Sequence, residues 1–268
     1  MPRILIDRLD DPLLDPYRHL KATNLTRWSD EFTAEGLLVV TRLLESRFEV
    51  LSVLATERRE AEITPLVPAE IPLYVVPQTL AEELVGFDFH TGVLARGRRS
   101  LRPTLDEIVA GGGRRLTIAV CPNVNSPDNI GSIIRTCAAL GVDALLMGRG
   151  CAPPFSRRVS RSSMGSVFRL PIIDTDDLPS ALSNLRESHG FELVATVLDP
   201  DVEMLPDAPR RDRTAILFGN EMHGLDAEWI ARCDRRVTMP MDSGTDSLNV
   251  SVAAGIVLHH FTRLAPPV

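Results

Sequence analysis

Residues 116–147, LTIAVCPNVNSPDNIGSIIRTCAALGVDALLM, contain the pattern that decides the fold. The apolar run LTIAV is followed by the helical pattern IGSIIRTCAALG and then by a second apolar run, ALLM. The same alternation continues with FELVATVL, TAILF and RRVTMP as further strands, and with DLPSALSNLRESHG, DAEWIARC and the closing apolar segment as helices. Short apolar strands that alternate with helices indicate a parallel sheet covered on both faces. We therefore predict an α/β domain of this kind.

The first hundred residues predict a smaller α/β unit. EFTAEGLLVVTRLLESRF (31–48) has Leu37, Val40, Leu44 and Phe48 at helical spacing, and VLSVLAT, LYVV and TGVLA follow as strands. RRSLRPTLDEIVAGGGRR then has the proline, glycine and charge content of a linker. The predicted organisation is a domain at 1–99, a linker at 100–113 and a second domain at 114–268.

Bulk composition is that of a globular protein, with 44% apolar and 24% charged residues. No stretch has the ~18–20 consecutive apolar residues of a membrane span, and the start lacks a secretory signal, so we expect a cytoplasmic protein with no membrane partner. The four cysteines are Cys121, Cys137, Cys151 and Cys233. Their wide spacing predicts reduced, mostly buried thiols and no metal site.

The net charge of −7 by itself disfavours a nucleic-acid partner. Local clusters of arginine point the other way, namely RGRR at 96–99 and SRRVSR at 156–161. Arginine suits phosphate oxygens because its planar fork binds them through two hydrogen bonds. A solvated surface explains the same clusters equally well.

Three polar loops follow predicted strands: CPNVNSPDNIGSIIR, FGNEMHGL and MPMDSGTDSLN. Ligands of open parallel sheets bind beyond the carboxyl ends of the strands, so these loops are expected to form one cleft. That cleft would gather Asn129, Arg135, Glu221, Ser247 and Asn249. The alternative treats the polar residues as helix caps and turns, with Asp128 or Asn129 capping one helix and Asp246 or Ser247 capping the last.

Familiar enzyme motifs are missing from the sequence, which has no GxSxG, HExxH, P-loop or GxGxxG after the first strand. His223 is the only histidine in the three loops. His259 and His260 are expected on the surface of the last helix or at an interface. Histidine catalysis is therefore not favoured.

Taken in order, NVNSPDNIGSIIRTCAALG, LFGNEMHGL and MPMDSGTDSLNVSVAAGI resemble the three motifs of the SpoU/TrmH family. These are RNA ribose 2′-O-methyltransferases that use S-adenosylmethionine. The segment SRRVSRSSMGSVFRLP also resembles the connection between the first and second motifs. More loosely, FTAEGLLVVTRLL and HTGVLARGRR resemble the ribosomal-protein-like RNA-binding domain that precedes the catalytic domain in many members.

The resemblance implies a fold that the residues alone do not: a C-terminal parallel sheet with a deep trefoil knot, plus a smaller N-terminal α/β RNA-binding domain. Knots are rare, so general rules predict an ordinary doubly wound sheet. The resemblance also implies a homodimer with its cofactor site near the interface. The small residues 253–255 would permit close helix packing, either there or within one subunit.

The same resemblance assigns roles to the loop residues. Arg135 would stabilise the developing oxyanion, Asn129 would orient the arginine or the ribose, and Glu221 would fix the arginine. Ser247 and Asn249 would hold the target nucleotide. The cofactor would lie against Thr196, Gly219, Met239 and Leu248. Met222 stands where the family commonly has glycine, which puts the backbone geometry of that loop in question.

The function implied is methyl transfer to a ribose 2′-hydroxyl of structured RNA, ribosomal RNA rather than transfer RNA. DNA is not expected as a partner. Two alternatives remain open on the sequence: a non-catalytic RNA-binding or ribosome-assembly factor with a methyltransferase-like knot, and a base-nitrogen methyltransferase of the same superfamily.

Overall fold

The computed structural model describes residues 2–18, 20, 29–99, 102–242 and 247–267. The chain forms two compact units. The first unit contains residues 1–101 together with 155–169, and the second contains residues 102–154 together with 170–268.

The strands are β1 (Arg3–Leu5), β2 (Glu31–Glu35), β3 (Glu49–Thr56), β4 (Leu73–Val76), β5 (Val93–Arg98), β6 (Leu116–Cys121), β7 (Ala144–Met147), β8 (Ile172–Asp174), β9 (Glu192–Thr196), β10 (Glu203–Met204), β11 (Arg213–Leu217) and β12 (Arg235–Thr238). The α-helices are α1 (Leu37–Leu44), α2 (Glu57–Ile63), α3 (Gln78–Val85), α4 (Leu105–Gly111), α5 (Pro127–Leu140), α6 (Arg157–Ser162), α7 (Leu178–Glu187), α8 (Ala227–Ile230) and α9 (Val250–His259). A π-helical turn, His260–Leu264, follows α9.

The first unit contains a mixed five-stranded sheet in the order β1-β4-β3-β5-β2. Strand β5 runs antiparallel to both of its neighbours. The expectation of a single helix over 31–48 is wrong in its first part, because 31–35 form the edge strand β2 and the helix covers only Leu37–Leu44. Gly36 separates the two with φ +95°, a conformation that side chains disfavour. The apolar residues at helical spacing begin at Leu37, and the preceding residues 31–35 pair with β5 instead.

Phe48, which was expected on that helix, belongs instead to an aromatic cluster of the first unit. Its ring packs at 5.5–6.0 Å from those of Phe32, Phe155 and Phe168. Phe32 also stacks on Phe168 at 5.5 Å. The segment 155–169 therefore contributes two of the four rings, which explains why it belongs to the first unit.

Both arginine clusters take part in ion pairs within the first unit. Arg96 contacts Glu31 at 2.6 Å, and Arg98 contacts Glu49 at 2.9 Å. Arg157 and Arg161 each approach the buried carboxylate of Glu35 at 3.1 Å. Desolvation lowers the pKa of Arg157, which also lies over the ring of Phe87 at 4.1 Å. These contacts give the clusters a structural role in this unit.

The second unit contains a parallel seven-stranded sheet in the order β10-β12-β9-β11-β6-β7-β8. The expected strands and helices of residues 116–259 are confirmed, apart from shifts of a few residues at their ends. Strand β10 was not expected, since two residues carry no detectable pattern. β11 lies between β6 and β9, and this arrangement places the ends of β6, β9, β11 and β12 along one edge.

The expected linker includes an ordered helix. Thr104 caps α4 in a capping box with Glu107, whose side chain accepts from the Thr104 backbone amide at 2.9 Å. Leu105 is buried, and Ile108 packs against the same core of the second unit. Residues 105–111 are thus part of the second unit rather than a free connection.

Helix α9 packs against α5 within the second unit. His259 is exposed as expected, but His260 is buried and its Nε2 donates to the carbonyl of Ala208 at 2.7 Å. The expectation of a surface position is therefore wrong for His260. Within the described residues, no helix is long and apolar enough to cross a bilayer.

Candidate active site

The first polar loop leads from β6 into α5, and Ser126 caps that helix. Its hydroxyl accepts from the amide of Asn129 at 3.4 Å, and Pro127 occupies the first helical position. The expected caps, Asp128 or Asn129, are wrong because serine followed by proline starts the helix earlier. Asn129 therefore lies in the first turn with its side chain available for other contacts.

The second polar loop turns back on itself after β11. Asn220 and Gly224 exchange two backbone hydrogen bonds of 2.7 and 3.0 Å. The side chain of Asn220 ties this turn to the first loop, because its Nδ2 donates to the carbonyl of Asn123 at 2.9 Å. Asn220 is not among the residues predicted from the sequence, although its position immediately before Glu221 is a signal for it.

Two glycines make this tight turn possible. A Cβ on Gly219 would lie 2.1 Å from the carbonyl carbon of Gly224 and 2.3 Å from the amide of Leu225. Gly224 carries the positive φ of +68°. Met222 is not in the left-handed region, so the loop accepts methionine at the position where a glycine was anticipated.

An amide chain connects the three loops. Asn129 Nδ2 donates to Glu221 Oε1 at 2.8 Å, and Asn249 Nδ2 donates to Asn129 Oδ1 at 3.0 Å. Ser126 adds a backbone donor to Glu221 Oε1 at 3.3 Å. Three of the five residues expected at the catalytic centre are thus joined directly by hydrogen bonds.

Asn249 caps α9, and its Oδ1 accepts from the amide of Ser251 at 2.9 Å. The expected cap at Ser247 is wrong, since the helix begins three residues later at Val250. The alternative cap, Asp246, lies outside the described residues. Ser247 and Leu248 precede the helix and are exposed, which leaves them available to a ligand.

A cavity of about 520 Å³ lies in the second unit at the carboxyl ends of β9, β11 and β12. It is lined by all four residues expected to hold the cofactor, Thr196, Gly219, Met239 and Leu248. Glu221 and Ser247 also line it. Sites for small organic ligands have this size and lie at this edge of parallel sheets.

Within a single chain, Arg135 does not join the hydrogen-bonded set of Asn129, Glu221 and Asn249. It is exposed, and no hydrogen bond or ion pair joins it to the part of the chain that the structure describes. Six residues of α-helix correspond to a rotation of about 240°, so Arg135 and Asn129 lie on different faces of α5. The expected pair between Arg135 and Glu221 is not formed among the described residues.

Buried thiols support the first loop. Val124 donates its amide to Cys151 Sγ at 3.3 Å, and the Cys151 thiol donates to the carbonyl of Cys121 at 2.9 Å. Burial raises the pKa of Cys121 well above its ordinary value and that of Cys137 to about 12. All four cysteines are free and three of them are buried, which agrees with the prediction of mostly buried thiols.

Comparison with known proteins identifies the family. The model of the SpoU rRNA methylase family matches residues 116–259. An uncharacterised tRNA/rRNA methyltransferase of Mycobacterium bovis is 40% identical over 95% of this chain and 90% of its own. The 23S rRNA (guanosine-2′-O-)-methyltransferase RlmB of Acinetobacter baylyi is 30% identical over 68% of this chain and 74% of its own.

The solved structures agree with the sequence relatives. The SpoU methyltransferase AviRb from Streptomyces viridochromogenes, solved in complex with the cofactor AdoMet, has a TM-score of 0.78 at 25% identity. The match covers 94% of this chain and 98% of AviRb. The expected fold class, α/β with a parallel sheet of the trefoil-knotted type, is confirmed by this likeness.

The fold and the relatives are those of an S-adenosylmethionine-dependent RNA methyltransferase. The chain belongs to the SpoU rRNA methylase family. The cavity fits the cofactor chemically, because Leu205, Leu225 and Ile230 offer apolar walls for an adenine and the lining carboxylate of Glu221 suits a cationic group.

Proposed function

We propose that this protein transfers the methyl group to a ribose 2′-hydroxyl of structured RNA, and that its substrate is ribosomal rather than transfer RNA. The observation that carries the proposal is the meeting of the cofactor cavity with the hydrogen-bonded set Asn129, Glu221 and Asn249. Similarity to a 23S rRNA guanosine 2′-O-methyltransferase supports the choice of acceptor and substrate.

Bound S-adenosylmethionine supplies an electrophilic methyl group, and the chain has to hold the ribose oxygen in line with it. In the proposed site, Ser247 and Asn249 hold the nucleotide, and Thr196, Gly219, Met239 and Leu248 hold the cofactor. Asn129 and Glu221 fix the geometry between the loops. The hydroxyl proton leaves through water or a phosphate, and Arg135 stabilises the developing oxyanion electrostatically.

The protein is proposed to act as a homodimer in which Arg135 of one copy completes the site of the other. Two observations support this arrangement. Arg135 does not share the helix face of Asn129, and α9 exposes the large side chains of Val252 (51%) and Ile256 (46%) next to that site. Apolar side chains exposed on one helix are typical of surfaces that bind a partner.

The first unit, with the segment 155–169, is proposed to bind the RNA substrate. Arg158 and Arg169 lie on its surface, with Arg169 64% exposed on its side chain. Replacing both with glutamate should weaken RNA binding by the full chain and reduce its dependence on salt, because fewer phosphates are neutralised. The affinity for S-adenosylmethionine should stay the same.

The main test uses the purified full chain with labelled S-adenosylmethionine and, in separate reactions, ribosomal RNA and transfer RNA. Nucleoside analysis of the product should give a 2′-O-methylated nucleoside, and alkaline hydrolysis should stop at the modified ribose. Arg135→Ala should abolish transfer and leave cofactor binding intact. Arg114→Ala, which alters an arginine 88% exposed elsewhere on the second unit, is the matched control. A base-methylated product would contradict the proposed acceptor.

Complementation between variants tests the dimer. Arg135→Ala and Glu221→Gln should each be inactive alone, and mixing the two under exchange conditions should restore part of the activity. Activity that stays absent after exchange, together with a monomeric mass in solution, would exclude a shared site.

A further inference from the structure

Ser251 is bonded twice to the same atom of the candidate site. Its backbone amide donates to Asn249 Oδ1 at 2.9 Å, and its hydroxyl lies 2.7 Å from that oxygen. A backbone N–H can only donate, so the atom that it contacts must be the oxygen of the Asn249 amide. The hydroxyl, facing an atom that only accepts, must then donate as well.

This orientation propagates through the amide chain. Because the oxygen of the Asn249 amide faces Ser251, its NH₂ group faces Asn129. The Oδ1 of Asn129 accepts a hydrogen bond from it at 3.0 Å. The NH₂ group of Asn129 is then directed at Glu221 Oε1, 2.8 Å away. If the Asn129 amide were reversed, its NH₂ group would face the NH₂ group of Asn249, and its oxygen would face the carboxylate oxygen of Glu221. All donors therefore run in one direction, from Ser251 to Glu221.

Glu221 is the last residue of this series of hydrogen bonds. Glu221 Oε1 receives Asn129 and the Ser126 amide. Glu221 Oε2 is buried and has no hydrogen-bond partner among the described residues. A buried acceptor without a partner costs free energy unless something donates to it. Among the described residues, the Glu221 carboxylate is thus held through Oε1 alone.

We propose that Ser251 is a positioning residue for methyl transfer, acting through Asn249 and Asn129 on the orientation of the Glu221 carboxylate. Its hydroxyl bonds Asn249, so that any effect on Glu221 passes through Asn249 and Asn129. The proposal rests on the proposed roles of Asn129 and Glu221 in the reaction. It adds a fourth member to the polar chain that unites the three loops.

Ser251→Ala isolates this role, because alanine keeps the backbone amide that is bonded to the cap of α9 and loses only the hydroxyl. We expect kcat to fall about 3- to 10-fold, as for loss of one hydrogen bond, with KM for S-adenosylmethionine unchanged. Ser251→Thr keeps the hydroxyl and should restore kcat. Ser180→Ala is the matched control, since Ser180 donates its amide to the cap Asp177 of α7 at 3.1 Å, as Ser251 does to the cap of α9. The kcat of Ser180→Ala should equal that of the wild type.

A double-mutant cycle decides between positioning and simple stabilisation. If Ser251 acts through the amide chain, Ser251→Ala should have no further effect on single-turnover rates in an Asn129→Ala background. Effects that multiply, or an unchanged kcat in Ser251→Ala, would overturn the proposal. A wild-type product methylated on a base would instead refute the proposed acceptor and leave this comparison of rates valid, so the two failures are distinguishable.

Discussion

The Nδ2 of Asn129 donates a 2.8 Å hydrogen bond to Oε1 of Glu221, 92 residues further along the chain. The two residues follow β6 and β11, which are parallel neighbours in the sheet. Because parallel neighbours end at the same edge, the loops that follow them meet there. This single contact unites two of the three motifs, and Asn249 adds the third.

Asn129→Asp should destabilise the protein in a pH-dependent way. The substitution places a second carboxylate against Glu221, and two carboxylates in contact raise the pKa of the pair. The folded state then binds a proton more tightly than the unfolded state. The destabilisation should therefore be about 1–3 kcal/mol at pH 8 and smaller at pH 5. Urea unfolding at both pH values measures it, and Asn129→Ser should show no such pH dependence.

Gly219→Ala should damage both stability and cofactor binding. The added methyl group would meet the backbone of Gly224 and Leu225 at 2.1–2.5 Å, where no flexible side chain can move aside. We expect a loss of about 1–3 kcal/mol in the free energy of unfolding and a weaker affinity for S-adenosylmethionine, measured by calorimetry. Gly113→Ala, with open space around the new methyl group, should behave as the wild type does. Equal affinities in the two variants would refute the importance of this turn.

The neighbouring residues His259 and His260 allow a matched comparison of the free energy of unfolding. His260→Phe leaves the carbonyl of Ala208 without its donor in a buried setting and should cost about 1–3 kcal/mol. His259→Phe alters an exposed side chain and should stay within about 0.5 kcal/mol. Chemical denaturation of both variants measures the difference. Similar values for the two would show that the buried hydrogen bond contributes little.

The thiols should make stability fall at high pH. Burial raises the pKa of Cys137 to about 12, and an unfolded thiol ionises near pH 9. The contribution of the buried thiols to the free energy of unfolding is fully present below pH 9. It is lost as the pH rises towards 12, by up to about 1.4 kcal/mol per pH unit for each thiol. Cys137→Ala should flatten this decline in unfolding experiments between pH 8.5 and 10. Rapid alkylation of Cys137 in the native protein at pH 8 would contradict the underlying burial.

Much of the second unit is predictable from the sequence because its signals are local. The apolar runs at β6, β7, β9, β11 and β12 and the periodic helices α5 and α7 fall where the pattern indicates. The first unit is less predictable. Residues 31–35 were included in the predicted helix, although the apolar residues at helical spacing begin only at Leu37, and they form β2, which pairs with β5.

The candidate site likewise contains some residues that the sequence predicts and others that it does not. The side chains of Asn129, Glu221 and Asn249 stand out in polar loops, so sequence alone nominated them. It did not identify Ser126 and Asn249 as the caps or Ser251 as a supporting residue, because several neighbouring polar residues were equally suitable by type. It missed Asn220 because the hydrogen bond of that residue joins loops distant in sequence.

The sequence by itself determined the class of fold and the family, and it nominated the residues proposed to carry the chemistry, because strand and helix periodicity and the three ordered motifs can be read along the chain. Only the tertiary structure decided how these residues are used. Chain folding brought Asn129 into contact with Glu221, assigned residues 155–169 to the first unit and left Arg135 on a different face of its helix from Asn129. Such outcomes depend on strand order and helix rotation, which arise from packing across the whole sheet and not from any single segment.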